Sequence, residues 1–423
     1  MWSERTRRWW AGRDPLVIHA YPGFGTREKL WVRGRVLDDE GLRPAAPGAS
    51  AWRNLRDAWK RFETDERPGL RVRSVFQGRS QETVTDEEGF FEFLLQPAEP
   101  LPADRSWHDV ELSLADGGGR HPAVRATARV LVPSARARVG VISDIDDTII
   151  QTGATQILRA VRAVLLGSAH TRLPFPGVAP FYRALESGAD GQAANPFFYV
   201  SSSPWNLYDV LLEVMELHGL PPGPLLLRDW GLAREAVPFR HRSHKLAAIR
   251  RIAEVYPGLP LLLVGDSGQE DPEIYHEAVG LYPGRVQAIY IRNVSPGADR
   301  VAAIKALAEQ VLGAGSTLVL AEDTVAAARH AAVQGWIGLE RLPGIVAEKE
   351  ADEPPAKAAA IEETVVIAPN GPAAAQAALE SGVVEAALES PAPGGKAPAV
   401  VVEARGLKPD GASGGGDAGS GLL

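Results

Sequence analysis

The stretch GVISDIDDTII, Gly140 to Ile150, decides how this chain reads. A mostly apolar run, the pattern of a strand buried on both faces, ends in Asp144, Asp146 and Asp147. Carboxylates this close raise one another's free energy unless something compensates them. A metal ion would do so. The crowding at a buried strand's tip is therefore read as a catalytic centre, and the rest of the chain must supply its other parts.

Working outward from there, short apolar runs alternate with helical stretches. Candidate strands are RVGVISD (138–144), FFYVSS (197–202), PLLLR (224–228), PLLLVGD (260–266), RVQAIYI (285–291) and STLVL (316–320). Helical periodicity appears in ILRAVRAVLL (157–166), NLYDVLLEVMELHG (206–219), HKLAAIRRIAEVYPG (244–258) and RVAAIKALAEQVLG (300–313). Gly219 and Gly258 stand where helix stops are expected. Strands alternating with helices imply an α/β fold, a parallel sheet with helices on both faces. In such sheets ligands bind beyond the carboxyl ends of the strands.

Upstream, residues 16–133 read as β-rich: short alternating runs punctuated by Gly, Asp and Pro predict a small β-sandwich. TDEEGFFEFLL (85–95) reads as a hairpin turning at Asp86–Gly89. A helix is expected near Ala51–Thr64. The domain reading is then a Trp/Arg-rich segment over 1–15, a sandwich over 16–133, a catalytic α/β domain over 134–345 and a disordered tail over 346–423. The tail is Ala, Pro, Gly, Glu and Val with almost no aromatics, too little to offset its ordering entropy. Its one weakly apolar stretch is IEETVVIAP (361–369).

Composition bounds the classes. The 423 residues are too many for one ordinary domain. A net charge of -8 argues against bulk nucleic-acid binding. Cysteine is absent, which excludes disulfides, thiolate metal sites and cysteine nucleophiles. The opening MWSERTRRWW lacks the apolar core of a signal peptide, so a cytoplasmic location is expected. Its Trp2, Trp9 and Trp10 among arginines suggest peripheral membrane contact as readily as packing on the sandwich.

The polar residues at the strand ends recur in order: Asp-x-Asp-x-Thr, then Ser201–Ser203, then Lys245, then Gly-Asp with Asp271 five residues past Asp266. This set suits phosphoryl transfer, which needs a nucleophile, a phosphate clamp, a counter-charge and a leaving-group acid. Asp144 reads as the nucleophile and Asp146 as the acid/base two residues on. Asp144 and Asp266, with the Asp146 backbone carbonyl, suit Mg²⁺, a hard cation that favours oxygen ligands. Ser201 is the phosphate-binding hydroxyl, with Ser202 able to share the role. Thr148 can hold Asp146 or the loop in place on the phosphate side. Lys245 can neutralise both Asp144 and phosphate. Asp147 and Asp271 are supporting groups, Asp271 orienting Lys245 or the metal's surroundings.

SDIDDTI, FYVSSSPWNLY, SHK and VGDSGQEDPEIY together resemble the catalytic domain of the actin-patch-associated phosphatidate phosphatases, within the haloacid-dehalogenase (HAD) superfamily. The similarity covers roughly Arg138 to Ala308. It implies a HAD-like Rossmannoid sheet and a Mg²⁺-dependent lipid phosphatase that turns phosphatidate into diacylglycerol and phosphate. A small soluble phosphomonoester is the alternative substrate. An adaptor on a dormant phosphatase fold, whose sandwich and tail recruit partners of unknown kind, is the alternative function. The presence of Asp144, Asp146, Lys245 and Asp266 weighs against dormancy.

Overall fold

The computed structural model describes residues 16–38, 67–115, 124–145, 176–228, 240–294, 297–352, 364–368, 385–386 and 400–404. It is a mixed α/β structure built on two sheets. The expected segment over 1–15, the helices near Ala51–Thr64 and 157–166, and the residues Asp146, Asp147 and Thr148 lie outside the described residues.

The second sheet positions the site. Its parallel strands are β8 (Gly140–Asp144), β9 (Phe197–Pro204), β10 (Leu225–Arg228), β11 (Leu261–Asp266), β12 (Val286–Arg292) and β13 (Thr317–Ala321). They lie in the order β10-β9-β8-β11-β12-β13. Counted from β8 this is the order 3-2-1-4-5-6, which reverses direction between β8 and β11. Connections leave the carboxyl ends of those two strands toward opposite sides. A crevice therefore opens between them.

The apolar runs are continuous because both faces are covered. Side chains alternate across a strand, and here the alternation divides into two cores. Val141, Phe197, Tyr199, Leu262, Val264, Tyr290 and Val319 face one way. There they meet α1 (Val178–Ser187), α2 (Tyr208–Leu217), α6 (Thr324–Val333) and α7 (Leu342–Asp352). Ile142, Phe198, Val200, Leu263, Ile289 and Leu318 face the other way, toward α3 (Arg240–Val255), α4 (Asp271–Leu281) and α5 (Ala298–Gly313). The left-handed Gly219 (φ 63) follows the end of α2, as its place in the sequence suggested.

The first sheet holds β1 (Leu16–Gly25), β2 (Leu30–Asp38), β3 (Arg71–Phe76), β4 (Arg79–Val84), β5 (Phe90–Leu95), β6 (Trp107–Leu114) and β7 (Arg125–Leu131). Their order is β4-β3-β6-β7-β1-β2-β5. Hydrogen bonding links all seven strands, with β7 and β1 meeting through two residue pairs, Gly23–Val130 and Phe24–Leu131. The strands enclose one core around Val32, Phe91, Phe93, Val110 and Val130. The hairpin expected at Asp86–Gly89 is corrected. That turn joins β4 and β5, which stand at opposite edges of the sheet. Asp86 closes it by accepting from the amides of Glu88 and Phe90. β4 instead forms a hairpin with β3, whose two-residue turn sets Gln77 (φ 47) and Gly78 (φ 75) left-handed.

The tail differs from expectation where it is described. α7 continues to Asp352, and Thr364–Ala368, Glu385–Ala386 and Val400–Ala404 (β14, β15 and β16) extend the second sheet antiparallel beyond β13. TVVIA and VVVEA are β-branched runs that suit an open strand edge, and average composition hides them. Among the described residues no helix is long and apolar enough to cross a membrane.

The two sheets share side chains. Phe24 of β1 is buried against Trp31, Phe198 and Tyr256, and the Tyr256 hydroxyl accepts from the amide of Gly25 at 3.1 Å. Phe24→Ala should cost about 3–5 kcal/mol, the usual range for emptying a buried aromatic site. The readout is a lower urea midpoint at an unchanged slope.

A second prediction concerns pH. His330, buried on α6 with Nδ1 3.2 Å from the Tyr290 hydroxyl, is held down to about 4 by burial. The unfolded chain takes up that proton near pH 6.5, so stability should fall as pH drops from there to about 4, by about 3 kcal/mol, and level off below. His330→Gln should flatten that acid limb in denaturation curves measured across the range.

Candidate active site

Asp144 is the last residue of β8 and Asp266 the last of β11, so the two border the crevice. Both are buried, as are Lys245, Asp271 and Ser201. Asp271 opens α4, and the turn between Asp266 and Asp271 folds back on itself. The Asp271 Oδ2 accepts from the Asp266 amide at 3.2 Å. The Asp266 Oδ1 accepts from the amides of Gly268 (2.6 Å) and Gln269 (3.0 Å). The Asp271 carboxylate thereby fixes the Asp266 backbone, and the Asp266 carboxylate fixes the turn that follows it.

Gly265 permits this closeness. A Cβ there would lie 2.4 Å from the Asp271 Oδ2 and 2.8 Å from its Cβ. No residue larger than glycine fits between the strand end and the start of the helix.

Lys245 is the cation of the centre. Its Nζ lies 2.9 Å from the Asp144 Oδ1 and 2.6 Å from the Asp271 Oδ1, with the Gln269 Oε1 at 3.4 Å. Burial alone would push the ammonium toward neutrality. The charges of Asp144 and Asp271 outweigh that and raise its pKa, so Lys245 stays protonated throughout the physiological range. Lys245 does not open its helix as expected. α3 begins at Arg240, so the ammonium projects from an established second turn.

The carboxylate oxygens of Asp144, Asp266 and Asp271 come within 4.8 Å of one another. Among the described residues these three buried acids gather about the Lys245 ammonium, with Arg300 acting on Asp266 and Asp271 from farther off. The donor set, all oxygen, fits a hard divalent cation. Ser201 lies one strand over on β9, beside β8 where Asp144 pairs with Val200. Its Oγ accepts from the Ser203 amide at 3.0 Å. Ser202 is half-buried in the same turn.

Arg300, Ser143, Tyr182 and Gln269 support the centre from positions that the motif reading does not single out. Arg300, on α5, donates through Nε to the Ser267 carbonyl and through Nη2 to that of Gln269, while pairing with Glu273. It ties down the turn that carries Asp266. Ser143 donates to the carbonyl of Asp144 at 2.8 Å and lies 2.7 Å from the Tyr182 hydroxyl, from α1. Burial raises the Tyr182 phenol far above its ordinary value and keeps it protonated. Gln269 stands inside a recognisable motif and could have been found there. Arg300 and Tyr182 are distant in sequence, and no local pattern marks them.

Residues 139–293 match the family described as phosphatidate phosphatase APP1, catalytic domain. This segment belongs to that family. Every site residue located above except Arg300 falls inside it. Over 159 residues the chain is 35% identical to phosphatidate phosphatase APP1 of Saccharomyces cerevisiae, covering 37% of this chain and 26% of that one. It is 26% identical over 255 residues to an uncharacterized protein of Schizosaccharomyces pombe, covering 58% of this chain and 40% of that one. The chain thus spans well under half the length of these curated relatives. Among solved structures, a carbohydrate acetylesterase from Xanthomonas citri aligns at 12% identity over 69% of this chain and 72% of its own, with a TM-score of 0.22, which carries no argument.

Gly265→Ala should displace Asp271 and unpair Lys245 while leaving the sheet folded. The expected result is loss of divalent-cation binding by calorimetry, at least about tenfold in affinity, as when a group orienting metal ligands is removed. Retained affinity would show that Asp271 tolerates the displacement.

Proposed function

We propose that the chain is a Mg²⁺-dependent phosphatidate phosphatase working through an aspartyl-phosphate on Asp144. The observation that carries this reading is the buried Asp144–Lys245–Asp271 chain beside Asp266, at the crevice of a parallel sheet whose segment belongs to the APP1 catalytic-domain family. In this reading the sheet over 134–345 is a HAD-like Rossmannoid catalytic domain, and 16–133 is a separate β-rich domain.

The chemistry divides among the side chains. The Asp144 carboxylate attacks phosphorus as the bond to the lipid alcohol breaks, which places the phosphoryl group on Asp144. Asp146 gives a proton to the departing alkoxide, which leaves as diacylglycerol. The Asp146 carboxylate then takes a proton from water as that water attacks phosphorus, and Asp144 is released with free phosphate. Lys245 offsets negative charge on Asp144 and on the transferring group without giving up its proton. Ser201, with Ser202 and Thr148, donates to phosphate oxygens. Asp147 and Asp271 support the centre, Asp271 by aiming Lys245. Asp144, Asp266 and the Asp146 carbonyl would hold Mg²⁺, which when bound supplies the positive charge that lets an anionic phosphate approach these carboxylates. A lipid substrate calls for peripheral contact with a membrane surface, consistent with a cytoplasmic enzyme that docks.

The test is phosphate release from phosphatidate in mixed micelles, with Mg²⁺ or with EDTA, for the wild type and Asp144→Asn. Release that needs Mg²⁺ and falls by about 10³-fold or more in the variant is expected for loss of a nucleophile. Release only from a small phosphomonoester would keep the chemistry and replace the substrate. No release from either substrate would favour the adaptor.

A further inference from the structure

The serine turn on β9 is gripped from outside its own sheet. Trp205 and Tyr208 follow Ser203 almost at once, and both rings are buried. They stack on each other at 5.7 Å between centroids, with an interplanar angle of 15°. Tyr21, from β1 of the first sheet, places its ring 4.7 Å from Trp205 and 4.3 Å from Tyr208. Phe90, from β5, meets Trp205 edge-on at 5.7 Å. The guanidinium of Arg33, from β2, lies 4.5 Å from the centre of the Phe90 ring and 4.6 Å from that of Trp205. The His19 Nδ1 lies 3.7 Å from the Asp209 Oδ2 on the same contact.

Trp205–Leu207 is a single 3₁₀ turn, a poorly bonded form that takes its shape from its surroundings. Phosphate-binding hydroxyls must be placed to within about half an ångström to be of use. Rigid aromatic rings from a second sheet supply such placement at small cost in side-chain entropy.

We propose that the seven-stranded sheet is a working part of the phosphate site, and that Tyr21, Phe90 and Arg33 are positioning residues for the Ser201–Ser203 turn. This rests on the reading of Ser201 and Ser202 as phosphate ligands. It gives the β-rich region a role that its own residues, which carry no catalytic cluster, do not suggest.

The experiment is amide hydrogen exchange across Ser201–Leu207 in the full chain, for wild type, Tyr21→Ala and Tyr21→Phe, together with KM and kcat for p-nitrophenyl phosphate. Tyr21→Ala should speed exchange in that segment by about tenfold and leave the amides of β11, β12 and β13 unchanged. Its KM should rise about five- to tenfold with a smaller change in kcat. Tyr21→Phe, which keeps the ring, should restore both. Unchanged exchange at Ser201–Leu207, faster exchange throughout the sheet, or faster exchange with an unchanged KM would each overturn the proposal. Should Tyr21→Ala not fold, Phe90→Leu carries the same expectations. A wild type without phosphatase activity would sink the functional reading alone, because the exchange pattern still decides whether the first sheet holds the turn.

Discussion

The buried ammonium of Lys245 is the constraint on which the rest depends. Desolvation would strip its proton, and the acids on either side prevent this. The acids in turn could not share so small a space without it. Arg300 adds its charge to Asp266 and Asp271 from farther off. In the proposed reading a divalent cation would settle among these acids and let an anionic phosphate approach them. The scaffold serves this balance. Two parallel strands end side by side, a glycine lets the helix that opens at Asp271 come up against one of them, and Arg300 holds the turn between.

How much of this could be read from the chain depended on distance along it. The strands of the second sheet were legible because each is an unbroken apolar run, and burial on both faces demands such a run locally. Asp144, Asp266, Asp271, Ser201 and Lys245 were legible because each sits at a strand's end or in a short motif beside one. The pairing of strands was not. Phe90 follows a turn that looks like a hairpin, yet β5 pairs with β2, because a turn's residues state that the chain reverses and not which neighbour it meets. Likewise the order of the seven short strands, with its two-residue link between β7 and β1, rests on pairings that no local pattern states. The β-branched runs near 364 and 400 were outweighed by their surroundings, since average composition is blind to five residues that can complete an edge.

The contact between the two sheets changes what the first one means. Its own core gathers around Val32 and Phe93. Tyr21, Phe90 and Phe24 do not belong to that core, and they complete the two cores of the neighbouring sheet. Each sheet therefore lacks part of its packing when taken alone.

The seam between β8 and β11 has a further consequence in time. Ser143 pairs with Val264 across it, so the strand that carries the first carboxylate must wait for most of the catalytic segment before its central neighbour exists. As the chain emerges during synthesis, Asp144 can join β9 early, but its partners on α3, β11 and α4 arrive late. The centre can thus close only once the helix that opens at Asp271 has emerged, and until then a nascent chain carries these acids in water.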